Sequence, residues 1–301
     1  AGGRKTKMDE DERCDVGEGR MSTQVRRLLA SGLGELRYEP TSKRIRAMLG
    51  GNTIIDTTRA MLVWEPRRIV PSYAVPASDI KGELIPDVAG TRVNAEHGSR
   101  LTELSDAPVL DPSVPFAAHT AEGQAASVRA AGQHRTGAAF RLADPDLAGY
   151  VILEFGAFDA WYEEDELNVA HPRDPFKRID VLPSSRHVRL ELDGEVIAES
   201  SRPMLLFETL LPPRYYLPPA DVQAVLTPSD TQTFCAYKGR ASYWSATIGG
   251  RTLPDLAWTY QDPLHDAAQV RGLIAFFNER VDVIVDGQLQ QRPVTPWTSR
   301  Q

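Results

Sequence analysis

From Arg46 the chain reads RAMLGGNTIIDTTRAMLVWE, and from Arg189 it reads RLELDGEVIAESSRPMLLFE, with apolar and polar positions in the same places and no gap. Arg46, Leu49, Gly51, Ile54, Arg59, Met61, Leu62 and Glu65 recur as Arg189, Leu192, Gly194, Ile197, Arg202, Met204, Leu205 and Glu208. Inside the second copy Val188, Leu190 and Leu192 alternate with polar residues, which predicts a strand buried on one face. Asp193-Gly194 and Gly249-Gly250 suit the tight turn of a β-hairpin, because both central residues of that turn need a positive φ. Further echoes run in the same order. SYAVPASDI at Ser72 lies against YYLPPADV at Tyr215, which aligns Tyr73 with Tyr216; PDLA occurs at Pro145 and Pro254; RIDV at Arg178 matches RVDV at Arg280.

Self-similarity of this kind predicts a duplication. The expected architecture is mostly β: two tandem copies of a small domain, a β-sandwich or open barrel, with short helices as minor elements. The copies are expected over 40–182 and 183–288, the first lengthened by a polar insertion at 82–106. Residues 1–21 hold almost nothing apolar and are expected to be a disordered tail, 22–39 a short helix and linker, and 289–301 a C-terminal tail. The helix is read from STQVRRLLASG, with Val25, Leu28 and Leu29 at helical spacing and Gly32 as a stop signal. Two more helices are predicted. One is FGAFDAWYEEDE, with Phe155, Phe158 and Tyr162 on one face and Glu163 to Glu166 as a solvated end; the other is GLIAFFNER from Gly272. Two small domains in one chain are expected to pack on a shared face as an internal pseudo-dimer.

Bulk properties narrow the function classes. A length of 301 residues favours two domains over one. No apolar run approaches the roughly 20 residues that span a bilayer, so no membrane partner is expected. A formal net charge of −7 opposes nucleic-acid binding, which is driven by clustered lysine and arginine. The two cysteines, Cys14 and Cys235, are too few for a disulfide framework or a four-thiolate zinc site, and no secretory pattern opens the sequence. A reducing cytoplasm fits best. The six histidines show no pair at ligand spacing, and neither a metal nor a cofactor is expected. Dinucleotide, P-loop, zincin and nucleophile-elbow motifs are absent.

Candidate chemistry gathers in the second copy. In RPMLLFETLLPPRYYLPPADV, alternation puts Met204, Leu206 and Glu208 on one face and Leu205 with Phe207 on the other, a strand buried on both sides. Glu208 then sits at the core edge and needs a cation, for which Arg214, Arg280 and Lys238 are available. Its recurrence as Glu65 suits a structural ion pair. Arg214 and Tyr216 share a strand face, with Tyr215 opposite. Aligned with Tyr73, Tyr216 reads as core, leaving Arg214 and Tyr215 as additions suited to an anionic or planar ligand. In FCAYKGRASYW, a continuous strand would set Cys235 and Lys238 on opposite faces, whereas a turn across Ala236 to Gly239 folds the ammonium towards the sulfur, an arrangement that activates thiols. The bland alternative is that Cys235 acts as a small buried hydrophobe. The counterpart in the first copy is FAAHTAEG at Phe116, aligning Ala117, His119 and Thr120 with Cys235, Tyr237 and Lys238. Tyr243, Trp244, Trp258 and Tyr260 flank the Gly249-Gly250 turn.

Four segments in order, RPMLLFETLLPPRYYLPPADV, CAYKGRASYW, DLAWTYQDP and IAFFNERVDVIVDG, closely resemble the domain-of-unknown-function 427 family, and the chain over 40–288 resembles its tandem actinobacterial form. The usual family loop is C-P-Y-K-G, so Ala236 departs while Cys235, Tyr237, Lys238 and Gly239 match. The first copy departs at almost every polar position. The resemblance implies a small β-rich domain of the β-tent kind. Relatives in that group often carry a structural zinc, but the paired cysteines it needs are missing here. A nucleotidyltransferase-like label also attaches to the family, yet the acidic pair that would hold magnesium beside a phosphate loop is not evident. Three readings follow. The first is a small-molecule-binding protein with a polar or anionic ligand held by Glu208, Arg214, Tyr215, Lys238, Tyr243 and Tyr260. The second is an enzyme, nucleotidyltransferase-like or with Cys235 or Glu208 as nucleophile or base. The third is a structural or interaction module.

Overall fold

The computed structural model describes residues 22–87, 109–110, 112, 114–295 and 298. The expected N-terminal tail, most of the expected insertion and the last residues of the expected C-terminal tail lie outside them. One helix, α1 (Val25–Ser31), precedes the sheets and runs into a 3-10 turn at Gly32–Gly34. The first repeat contains β1 (Arg37–Pro40), β2 (Ile45–Leu49), β3 (Asn52–Thr57), β4 (Met61–Trp64), β5 (Ser72–Pro76), β6 (Glu83–Pro86), β7 (Gly123–Ala130), β8 (Gln133–Leu142), β9 (Tyr150–Leu153), β10 (Ala160–Glu163) and β11 (Glu166–Asn168). The second contains β12 (Ile179–Pro183), β13 (Val188–Leu192), β14 (Glu195–Ser200), β15 (Met204–Glu208), β16 (Arg214–Leu217), β17 (Val225–Cys235), β18 (Gly239–Ile248), β19 (Arg251–Thr259), β20 (Ile274–Phe276), β21 (Asp282–Val285) and β22 (Gln288–Leu289).

The duplication is visible in the strand order. The first repeat builds a seven-stranded sheet β1-β4-β5-β9-β8-β7-β6 and a four-stranded sheet β11-β10-β2-β3; the second builds β12-β15-β16-β20-β19-β18-β17 and β14-β13-β21-β22, the same orders strand for strand. Both β2/β3 and β13/β14 carry a register irregularity at the equivalent place, between Ala47 and Met48 and between Leu190 and Glu191. The Asp193-Gly194 turn forms as expected, with φ of 52° and 83°. Thr57 and Arg59 bond Asp79 as Ser200 and Arg202 bond Asp221. In each repeat the two sheets pack face to face. The first core joins Ile45, Leu49 and Trp161 of the small sheet to Tyr73, Val75 and Leu153 of the large one; the second joins Val188, Leu190 and Val283 to Tyr215, Leu217 and Phe276.

Several expectations are corrected. Phe155 to Glu166 is not a helix: after a 3-10 turn at Phe155–Ala157 it becomes the hairpin β10/β11, because Trp161 and Glu163 point inward at a period of two. Glu163 is therefore buried, bonded to Tyr73 Oη at 2.7 Å and Lys43 Nζ at 2.5 Å. The GLIAFFNER segment supplies strand β20, buried between β16 and β19. Helix α1 exists, but Val25, Leu28 and Leu29 are exposed and Ala30 with Leu33 makes the packing contact. The second repeat opens at Ile179, since β12 pairs with β15, and residues 83–86 belong to β6 and not to the insertion. Two of the sequence echoes are coincidental. PDLA lies in the loop after β8 in one case and inside β19 in the other, while RIDV enters the edge strand β12 and RVDV enters β21 of the small sheet.

Each repeat keeps its own core. The contact between them runs through a small cluster of Ala30, Leu33 and Val109 with Ile69 and Leu211, and through the linker 169–178. In that linker Arg173 Nε donates to the Ala236 carbonyl at 3.2 Å and the Asp174 N–H donates to Tyr237 Oη at 2.7 Å. No helix among the described residues is long and apolar enough to cross a membrane.

Candidate functional site

The site lies on the outer face of the second repeat's large sheet, away from the sandwich core. Hydrogen-bonded register sets Met204, Tyr216, Ala275, Trp258 and Tyr243 side by side across β15, β16, β20, β19 and β18. The small Ala275 leaves space between the rings. The corresponding row in the first repeat is Met61, Ala74, Ile152, Phe140 and Ala125, which holds one ring where the second repeat holds three. This register also moves an alignment by one residue. Leu62 pairs with Tyr73 and Leu205 with Tyr215, so the shared tyrosine is Tyr215, while Tyr216 replaces Ala74. The single-residue difference falls in the connection between these strands, where repetition of the sequence is weakest.

Above the row is a cavity of about 370 Å³. Leu206 and Glu208 of β15, Arg214 and Tyr216 of β16, Cys235 at the end of β17, Tyr237 and Lys238 of the following turn, and Tyr243, Trp258, Tyr260 and Phe277 line it. The facing wall is His171 and Lys177 of the linker with Ile69, Val70 and Pro112 of the first repeat. Glu208, Arg214, Cys235, Lys238, Tyr243 and Tyr260 thus converge, as the sequence led one to ask. Tyr215 does not: it faces the sandwich core beside Leu205 and Leu217. Phe207 is exposed, so β15 is not buried on both sides at that end. His171, Lys177, Tyr216, Trp258 and Phe277 were not among the expected site residues, and nothing local in the linker sequence marks its histidine or lysine.

The 236–238 turn places Lys238. Cys235 pairs with Gly239, whose φ of 88° lets the chain reverse and send the lysine back beneath the sheet edge. Lys238 Nζ donates to Glu208 Oε2 at 2.5 Å, and Lys177 Nζ lies 3.6 Å from Oε1. Burial favours the protonated form of Glu208, but the two ammoniums outweigh it and hold its pKa at about 2. Burial acts on Lys238 in the opposite sense to Glu208, and the carboxylate prevails, holding the ammonium well above its ordinary value. Burial also pushes Tyr216 up to about 12, raises Tyr260 well above the usual phenol and brings His171 down to about 4. His171 is therefore neutral at pH 7, and its Nδ1–H donates to the Pro172 carbonyl at 2.8 Å.

Arg214 is not the cation of Glu208. Its guanidinium forms a two-bond pair with Glu279, both at 2.7 Å, and sits 5.6 Å above the Trp258 ring, while Thr295 Oγ1 donates to Glu279 at 2.6 Å. Arg280 is engaged with the carbonyls of Pro254 and Asp255. With Arg214 engaged by Glu279, the described residues leave Lys177 and Lys238 against the single carboxylate of Glu208, two positive charges to one negative.

Among the described residues the first repeat lacks this arrangement. The strand register aligns Ala117, His119 and Thr120 with Cys235, Tyr237 and Lys238, as expected. Glu65 accepts from His119 Nδ1 at 2.9 Å and from the backbone N–H groups of Thr120 and Ala121 at 2.9 and 3.2 Å. The His119 ring lies flat on Phe140 at 3.5 Å, filling the space that is open in the second repeat.

Compared with known proteins, a family described as a domain of unknown function (DUF427) matches residues 37–99 and 180–287, one stretch in each repeat. No curated protein matches the chain.

Proposed function

Because the chain belongs to the domain-of-unknown-function 427 family in tandem form, whose description assigns no activity, we propose a function from the cavity itself: the second repeat binds a small, polar or anionic, partly planar molecule. The observation that carries this reading is the contrast between repeats. The same β framework is closed by His119 on Phe140 in one copy and left open over Tyr216, Trp258 and Tyr243 in the other. A buried surface of rings and charged groups with about 370 Å³ of open volume falls within the size range of small-ligand sites. The charge state supports binding over proton transfer. A general base works best with a pKa near the working pH, and Glu208 at about 2 is far below it. Lys238, held as ammonium, has no lone pair to act as a nucleophile.

The test is a ligand screen on the full chain, reading the indole N–H resonance of Trp258 by NMR, with a cavity-filling Cys235→Phe variant alongside. The expected result is a class of compounds that shifts this resonance in the native protein and loses at least tenfold in affinity in the variant. Compounds that bind both proteins equally, or a complete lack of response at Trp258, would sink the proposal.

A further inference from the structure

Tyr260 is 5% exposed and lines the cavity, yet its hydroxyl has no hydrogen-bond partner among the described residues. The ring is buried while the hydroxyl opens into the cavity, where an acceptor on a bound molecule can meet it. Tyr216 is 1% exposed; its oxygen accepts from Trp258 Nε1 at 3.1 Å, but no described residue accepts its proton. Lys238 carries three N–H donors and gives one to Glu208. Three donor groups therefore line one cavity without a matching acceptor among the described residues.

We propose that the ligand is a planar monocarboxylate, an aromatic acid being the simplest case, whose carboxylate is held by the hydroxyls of Tyr260 and Tyr216 and the Lys238 ammonium. The inference rests on the reading of the cavity as a ligand site and adds the ligand's chemical class. Charge selects the monoanion. Among the described residues Lys177 and Lys238 outnumber their shared partner Glu208 by one positive charge, which a carboxylate neutralises, whereas a phosphate dianion would leave a buried negative charge. Shape selects the planar body. Tyr243 and Phe277 stack at 6.3 Å with planes 21° apart, Trp258 lies 4.7 Å from Phe277, and the small Ala275 leaves a slot beside these rings. Such a slot accepts a flat ring in offset or edge contact.

The experiment titrates the full chain with benzoate, benzamide and phenyl phosphate at pH 8, following the Trp258 indole N–H, and repeats the series with Tyr260→Phe and Tyr216→Phe. Benzoate should bind at least tenfold more tightly than benzamide or phenyl phosphate. Tyr260→Phe should weaken benzoate about tenfold, the usual loss for a hydrogen bond to a charged group, while its melting temperature stays at or above the native value because no internal bond is removed. Tyr216→Phe also removes the acceptor of the Trp258 N–H, so it serves as the second variant. Equal binding of benzoate and benzamide, preference for the phosphate, or unchanged benzoate affinity in both Phe variants would overturn the monocarboxylate proposal and leave the cavity reading intact. If none of the three probes moves the Trp258 signal, the monocarboxylate proposal fails; if the wider compound screen is silent as well, the cavity reading fails with it.

Discussion

Replacing Lys238 by methionine keeps most of the side chain's length and removes the ammonium that lies 2.5 Å from Glu208. The two side chains retain 12% and 7% of their exposure, so little solvent screens the pair. Glu208 titrates at about 2 in the folded protein against an ordinary value of 4.5, a difference that corresponds to about 3 kcal/mol of folding stability at neutral pH. A depressed folded pKa fixes the sign: this contribution is complete above pH 4.5 and is lost as pH falls towards 2. Lys177, 3.6 Å away, keeps part of it when Lys238 is gone. Lys238→Met should therefore cost about 2–3 kcal/mol at pH 7, near the low end of what is typical for breaking a buried pair. Glu208→Gln combined with Lys238→Met removes the stranded charge and should return to within about 1 kcal/mol of the native protein. Urea unfolding followed by tryptophan fluorescence at pH 7, 4 and 3 measures both effects. The native protein should lose stability between pH 4.5 and 3, and Lys238→Met should lose less over the same interval. A single variant as stable as the native protein, or a double variant no better than the single, would refute the assignment of this pair as a buried, mutually dependent unit.

Two further substitutions test the frame of the site. Gly239→Ala places a Cβ 3.4 Å from Leu264 at a φ of 88°, and should cost about 1–2 kcal/mol and lower the melting temperature by a few degrees; an unchanged melting temperature would show that the turn tolerates another conformation. Arg214→Met strands Glu279, whose side chain has 0% exposure, and should cost about 3–5 kcal/mol in urea unfolding; a loss below about 1 kcal/mol would mean that the pair is not a prop of the cavity wall.

Much of the frame was legible in the residues. The gapless match from Arg46 to Glu65 and Arg189 to Glu208, the alternation of Val188, Leu190 and Leu192, and the Asp193-Gly194 turn all act over a few residues, where backbone sterics and side-chain alternation decide the outcome. The Cys235 to Gly239 turn was legible for the same reason. Aromatic-rich segments were misread as helices at Phe155 and Gly272, because short apolar runs carry both periods until a neighbouring strand selects one. The exchange of Tyr215 for Tyr216 could not be read locally. Strand facing has a period of two, so a one-residue difference in a loop turns every following side chain to the other face, and only pairing with β15 shows which tyrosine meets the cavity. The partners of the charges were decided in the same way. Lys238 is held by Glu208, Arg214 by Glu279 and the cavity's far wall by His171 and Lys177, residues distant in sequence or lying in a linker without pattern. The sequence by itself determined two β-rich repeats and the turn that carries Lys238, whereas tertiary packing decided which charges are neutralised and which of the two copies stays open, because burial and charge neutralisation depend on groups that meet only when the sheets are assembled.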